Sequence, residues 1–195
     1  MQRRHLVCAL AVTLLSGCAS VQPVLTPEAA VDPNSGYVAG LFTRMKARGF
    51  AFVIRAADGG AEYLMPLGED GNWPTAVNDQ SVVIKLPPGK YTITQWITYA
   101  TLTKEVMSRR PIANPVLGQP FTVNAGCVMH LGSYDVTQYI QSGFPTTTTH
   151  LRIQPRRATE AAVKQTFGAA YPNLSKQAFR CLLCSDTAQL MLAPS

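Results

Sequence analysis

From Gly36 onward, short apolar runs alternate with turn-forming residues, the rhythm of an antiparallel sandwich or barrel rather than of a helical domain. Gly36 to Thr43 reads as a first strand. After a basic turn around Lys46 and Arg48 comes Phe50-Ala-Phe-Val-Ile-Arg-Ala, whose two-residue period places Phe50, Phe52 and Ile54 on one face, toward a core. Asp58-Gly59-Gly60 then supplies the positive φ of a tight turn, and Ala61 to Leu67 returns as its hairpin partner. Gly68 to Gln80 holds Glu69, Asp70, Gly71, Asn72, Pro74, Asn78 and Asp79 and reads as loop. Ser81 to Leu86, the turn Pro87-Pro88-Gly89 and Lys90 to Tyr99 predict a second hairpin. In it Tyr91, Ile93, Ile97 and Tyr99 share one face, and Thr92, Thr94, Trp96 and Thr98 the other.

Thr103 to Gln119 is a long connection containing Arg109, Arg110 and two prolines, read either as a partner-contact loop or as a crossover between sheets with a short irregular strand inside it. Cys127 to Ile140 is strand, Gln141 to Thr149 is polar loop, and His150 to Gln154 is a last strand. There the alternation stops. Ala158 to Ala170 carries Val163, Phe167 and Ala170 at i, i+4 and i+7, as a helix does, and Ser175 is a candidate N-cap for a second helix, Lys176 to Cys184. The pattern therefore predicts a mainly β protein: an antiparallel β-sandwich of about seven to eight strands (36–155) with a short helical tail packed on it (156–185) and a C-terminal extension (186–195).

The N-terminus breaks this pattern. Arg3 and Arg4 precede the apolar run Leu6 to Leu15, too short for the roughly 20 helical residues that span a bilayer. A charged start, a short apolar run and small residues before a cleavage point are the marks of an export signal. Leu15-Ser16-Gly17-Cys18 resembles the lipobox of bacterial lipoproteins. That resemblance implies cleavage of residues 1–17, acylation of Cys18 as the new N-terminus, and, with Ala19 rather than Asp in the next position, sorting to the outer membrane of a didermal bacterium. Each buried acyl CH₂ contributes about 0.8 kcal/mol, so several chains hold a protein without a transmembrane helix. Residues 18–35, with three prolines and no sustained period, read as a flexible tether with an end-to-end distance of about 23 Å.

Two internal stretches carry a further resemblance. Leu-Pro-Pro-Gly-Lys-Tyr-Thr-Ile, starting at Leu86, is similar to the strand–turn–strand of transthyretin-like and carboxypeptidase-regulatory-like sandwiches. Phe-Thr-Val-Asn-Ala-Gly-Cys-Val-Met-His-Leu-Gly, starting at Phe121, resembles paired strands of small envelope lipoproteins. Both imply a small extracytoplasmic domain and no particular activity.

Composition narrows the chemistry. Of 17 Lys and Arg, two precede Cys18, whereas all 11 Asp and Glu follow it, so residues 18–195 carry 15 cations against 11 anions, a formal +4. These cations are spread rather than gathered into a stripe, which argues against a nucleic-acid partner. The chemistry-bearing candidates are few. Cys127, Cys181 and Cys184 are disulfide candidates for an oxidising compartment: Cys127 with Cys181 or Cys184 would pin the tail, and Cys181 with Cys184 would require departure from helix geometry. Cys181-Leu-Leu-Cys184 is also the one hint of thiol–disulfide chemistry, although a reactive thiolate belongs at a helix start in polar surroundings. Cys127, His130 and His150 lack paired zinc spacing, the loop 68–80 lacks calcium-loop spacing, and the serines lie in no nucleophile-elbow setting. No metal, cofactor or catalytic constellation is implied. Trp73, an aromatic among polar loop residues, could stack on a sugar, and Arg109 with Arg110 could meet an envelope protein or cell-wall glycan. The expectation is a non-enzymatic, membrane-anchored binding or assembly module on the periplasmic face, with a thiol–disulfide protein (Cys181, Cys184) and a glycan binder (Trp73) as alternatives.

Overall fold

A computed structural model describes residues 20–45, 49–67, 77–100, 102–143 and 147–185. Its elements in chain order are β1 (Ser20–Val21), β2 (Gly36–Met45), β3 (Gly49–Ala56), β4 (Glu62–Pro66), β5 (Val77–Leu86), β6 (Gly89–Tyr99), β7 (Val106–Pro111), β8 (Phe121–Val123), β9 (Cys127–Ser142), β10 (Thr147–Arg156), α1 (Glu160–Ala170), a 3₁₀ turn (Leu174–Lys176) and β11 (Ala178–Cys181). They form two sheets, one ordered β1-β4-β3-β6-β7 with β8 also on β6, the other β10-β9-β2-β5 with β11 also on β9. The mainly β sandwich expected from the pattern is present. Most neighbours are antiparallel, but β1 runs parallel to β4, and β2 and β11 run parallel to β9.

The main core lies between the sheets. Phe50, Phe52 and Ile54 of β3 point into it as their spacing predicts, and they meet Val38 and Phe42 of β2, Ile84 of β5 and Tyr134 and Val136 of β9. At its centre Phe42 stacks on Tyr134 with ring centroids 5.7 Å apart, while Phe52 stands edge-on to both rings, at 6.0 and 5.5 Å. Tyr134 is fully buried, and its hydroxyl donates to the Leu131 carbonyl at 2.6 Å, so its polar end is satisfied.

That hydrogen bond spans an irregularity in β9. Ala39 pairs with His130 but Leu41 pairs with Ser133, so β9 holds one residue more than β2 over this stretch. The bulge lets Leu131 and Tyr134, three apart, both face the core. Gly132 sits in it at φ +113°, and a Cβ there would lie 3.1 Å from the Leu183 Cβ. Gly132→Val is expected to cost about 1–3 kcal/mol, read as a thermal midpoint lowered by roughly 4–8 °C for a mid-range cost; an unchanged midpoint would show that the bulge tolerates a side chain.

Four expectations are corrected. The predicted second hairpin does not exist, because β5 pairs with β2 in one sheet and β6 with β3 in the other. Pro87 and Pro88 have no N–H to donate to a ladder, and they hand the chain from sheet to sheet. The residues taken as a tether are laid along the domain from Ser20 onward: Gln22 N–H donates to Leu64 O at 2.8 Å and Leu25 N–H to Val83 O at 2.9 Å. Val24, Leu25 and Val31 pack on the two cores, and this apolar burial offsets the chain entropy that would keep the segment loose. The second helix is absent beyond the 3₁₀ turn. Ala178–Cys181 instead pairs with Cys127–His130, satisfying backbone groups that β9 would otherwise leave open beside β10. Finally, the polar loop 141–149 is shorter than expected, since β9 runs to Ser142 and β10 starts at Thr147.

The first helix agrees with its pattern. Thr159 caps it by accepting from Ala162 N–H at 3.2 Å, and Val163 and Phe167 are its buried residues. Phe167, Tyr171 and Leu174 cover Tyr37, Ala39, Val83 and Val128 on the outer face of the second sheet, a smaller core in its own right.

Candidate functional site

Cys18 and Trp73 lie outside the described residues. Arg109 and Arg110, expected in a contact loop or in a crossover between sheets, stand on β7 at the edge of the first sheet, so Thr103–Gln119 holds a strand but makes no crossover: β6, β7 and β8 all belong to that sheet. The strand pattern separates them. Arg109 pairs with Ile97 and Arg110 with Trp96, and directly paired residues share a face, so the two guanidinium groups leave from opposite sides of the sheet.

Arg109 is engaged within the domain. Its Nη1 donates to Glu62 Oε2 at 3.0 Å and to Gln95 Oε1 at 3.2 Å, while Arg55 pairs with the other Glu62 oxygen. Two guanidinium groups, Arg55 first and Arg109 second, hold the Glu62 carboxyl below the usual carboxylate range against the opposing effect of burial. The pairs bridge β3, β4 and β7 across β6. Half-exposed as both arginines are, they orient side chains more than they stabilise the fold, at roughly 0–1 kcal/mol each.

Next to this cluster lies a feature the spacing did not reveal. Val53 pairs with Gln95 but Ile54 pairs with Ile93, so Thr94 is an extra residue in β6 and inverts its alternation. Tyr91 and Ile93 face the main core as predicted, whereas Ile97 and Tyr99 are on the outer face, and Trp96 packs toward the core within 6.1 Å of Phe50. The expected single face of Tyr91, Ile93, Ile97 and Tyr99 is therefore corrected. Ile97 and Tyr99 join Ala51, Val53 and Leu64 in an apolar layer on the side of the sheet away from the main core. Among the described residues, the partly buried apolar side chains packed on this layer are Val21 of β1 and Val106 of β7, at its two edges, and the Lys104 ammonium lies 5.3 Å from the Tyr99 ring centroid. One signal for this layer was legible: Phe50-Ala-Phe-Val-Ile is apolar on both faces, as a strand covered on both sides would be.

The thiols resolve differently from the leading expectation. Cys181, the last residue of β11, is joined to Cys184 in the turn that follows, Cα to Cα 5.6 Å, and Cys127 is free. The pairing became available because this segment is strand and turn instead of helix. Both bridged cysteines are buried, 3% and 1% exposed, against Val163 of α1. The half-buried Cys127 borders a small cleft of about 30 Å³ with Thr122, Asn124, Met129, Ala178 and Arg180. His130 is sealed beneath Phe167 and Phe179, ring centroids at 6.3 and 5.7 Å. Its Nδ1 accepts from Gly132 N–H at 3.0 Å, and Nε2 has no partner. Burial pushes its pKa down to about 3, so the ring is neutral. Among the described residues no three His, Cys, Asp or Glu side chains converge as a metal site would require.

No family model matches the chain, and no curated protein matches it either. Among solved structures, a leucine-rich repeat protein from Bacteroides thetaiotaomicron is similar over 66% of this chain and 19% of its own length, at 14% identity and a TM-score of 0.35. This chain thus spans about a fifth of that protein, and so distant a likeness assigns neither family nor function.

Proposed function

We propose that this is a lipid-anchored envelope protein whose β-sandwich serves as a binding or assembly module at the outer membrane. The observation that carries the reading is the ordered sequence of Arg3-Arg4, the apolar run Leu6–Leu15 and Leu15-Ser16-Gly17-Cys18. The fold is compatible with it: Ser20, two residues past the acylated cysteine, already pairs with Tyr63 of β4, so the folded domain starts immediately behind the anchor. Of the alternatives, thiol–disulfide exchange is disfavoured by the burial of Cys181 and Cys184, since exchange needs an accessible sulfur and a stabilised thiolate.

Intact mass of the chain extracted from a didermal host tests the anchor. The expected species begins at Cys18 and carries a diacylglyceryl thioether and an N-acyl chain, whereas Cys18→Ala yields an unprocessed, unacylated precursor. An unmodified wild-type chain, or one cut elsewhere, would overturn the reading.

A further inference from the structure

We propose that the Cys181–Cys184 disulfide is a redox latch: oxidised, it holds β11 and the turn behind it across β9, and reduction releases that segment while the sandwich stays folded. Three observations converge on it. The segment is fastened to β9 and to the start of α1: Ala178–Cys181 pairs with Cys127–His130, Leu182 N–H donates to His130 O at 2.8 Å, Leu183 lies against Gly132 in the bulge, and Ser185 N–H donates to Ala158 O at 2.9 Å. The disulfide closes the turn in the middle of these contacts, buried against Val163 of α1. The segment's own sequence pulls the other way. Phe179, Leu182 and Leu183 keep a helical spacing that the strand overrides, so local preference and tertiary pairing disagree here. A four-residue strand in such conflict opens more easily than the core, and the cross-link opposes the opening by restricting the released chain. For a loop of this length the restriction corresponds to roughly twentyfold in the opening equilibrium. Release bares the β9 edge from Cys127 to His130 and lifts Phe179 from the His130 ring, so the latch controls access to a strand edge.

The reductant is a dithiol, either a small molecule or a protein carrying a cysteine pair. Its thiolate attacks one sulfur of the bridge to form a mixed disulfide, and its second thiol then displaces the protein's cysteine. The dithiol leaves as a disulfide, while Cys181 and Cys184 take up two electrons and two protons. With both sulfurs almost fully buried, attack waits for the segment to open, so the latch is a substrate of such a reductant and no catalyst of exchange. Cys127 takes no part in the closed state. It pairs with Ala178, whereas Cys181 pairs with His130, three positions further on and on the opposite face.

Amide hydrogen exchange of the full chain, before and after dithiothreitol under native conditions, tests the latch. Reduction is expected to speed exchange at Leu182 and Ser185 roughly twentyfold and to leave the amides of β3, between β4 and β6, unchanged. In the double variant Cys181→Ala, Cys184→Ala, the same amides should exchange at the reduced rate without any reductant. There Cys127 is the one thiol among residues 20–185, and its alkylation by iodoacetamide should be several-fold faster than in the oxidised wild type, because Ala178 no longer holds the backbone beside it. Cys127→Ser should match wild type in both redox states. The reduced wild type supplies the measurement if the double variant does not fold. Exchange at Leu182 and Ser185 that stays within twofold once the bridge is shown to be reduced would overturn the inference. So would an equal rise in β3, which would mean global unfolding, or a bridge that excess dithiothreitol leaves intact in the folded protein.

Discussion

Phe52→Ala is expected to destabilise the domain by about 3–5 kcal/mol, the range for removing a large aromatic from a core that only partly collapses. Phe52 is fully buried and stands edge-on to both Phe42 and Tyr134, so truncation empties the point where the two sheets meet. In urea unfolding followed by circular dichroism, with a slope of about 2 kcal/mol/M, the midpoint would fall by roughly 1.5–2.5 M. Phe52→Leu retains most of the volume and should lose less than about 1.5 kcal/mol. Equal small losses in both variants would mean that the aromatic trio is not the centre of the core.

Acid should destabilise the protein from pH 6.5 downward, through His130. Its pKa is about 3 when folded and near 6.5 when unfolded, so below pH 6.5 the unfolded chain binds a proton that the folded chain refuses. Stability contributed by the neutral ring is complete above pH 6.5 and is lost progressively as pH falls toward 3, at up to about 1.4 kcal/mol per pH unit. The carboxylates with lowered pKa values, Asp32, Glu62 and Asp79, act in the same direction, but only below about pH 4 to 4.5. Between pH 6.5 and 4.5 the slope thus isolates the imidazole. His130→Leu should flatten it, from a plateau lower by about 1 kcal/mol because Gly132 N–H loses its acceptor. Identical slopes for wild type and His130→Leu, measured by urea unfolding at each pH, would show that His130 is not held neutral.

How much of this was legible in the sequence depends on whether the information was local. The face of β3, the Asp58-Gly59-Gly60 hairpin and α1 with its buried Val163 and Phe167 were all readable, because each depends on residues a few positions apart. Pairing and register were not. Leu86-Pro-Pro-Gly89 announces a turn in either case, and only the partners that β5 and β6 find, β2 and β3, decide between a hairpin and a passage between sheets. Likewise the alternation in β6 reads as one face until Thr94 is left unpaired opposite β3, and that single extra residue creates the outer apolar layer with Ile97 and Tyr99.

The candidate site divides along the same line. The proposed lipidation at Cys18 rests on a linear motif, Leu15-Ser16-Gly17-Cys18, and so was readable without the fold. The roles of Arg109, Arg110 and the cysteines required the fold. Arg109 meets Glu62, 47 residues away, across two strands, β3 and β6, that neither belongs to, while Arg110 beside it faces the other way. Cys181 found Cys184 instead of Cys127 because the open backbone of β9 drew the last segment into a strand, overriding the helical spacing of Phe179, Leu182 and Leu183. Alone, the sequence determined a mainly β domain, since period and composition are properties of neighbouring residues. Which apolar residues form the second layer, on the side of the first sheet away from the main core, was decided by the tertiary structure, since β1, β4 and the bulge at Thr94 come together only when segments distant in sequence satisfy each other's backbone hydrogen bonds.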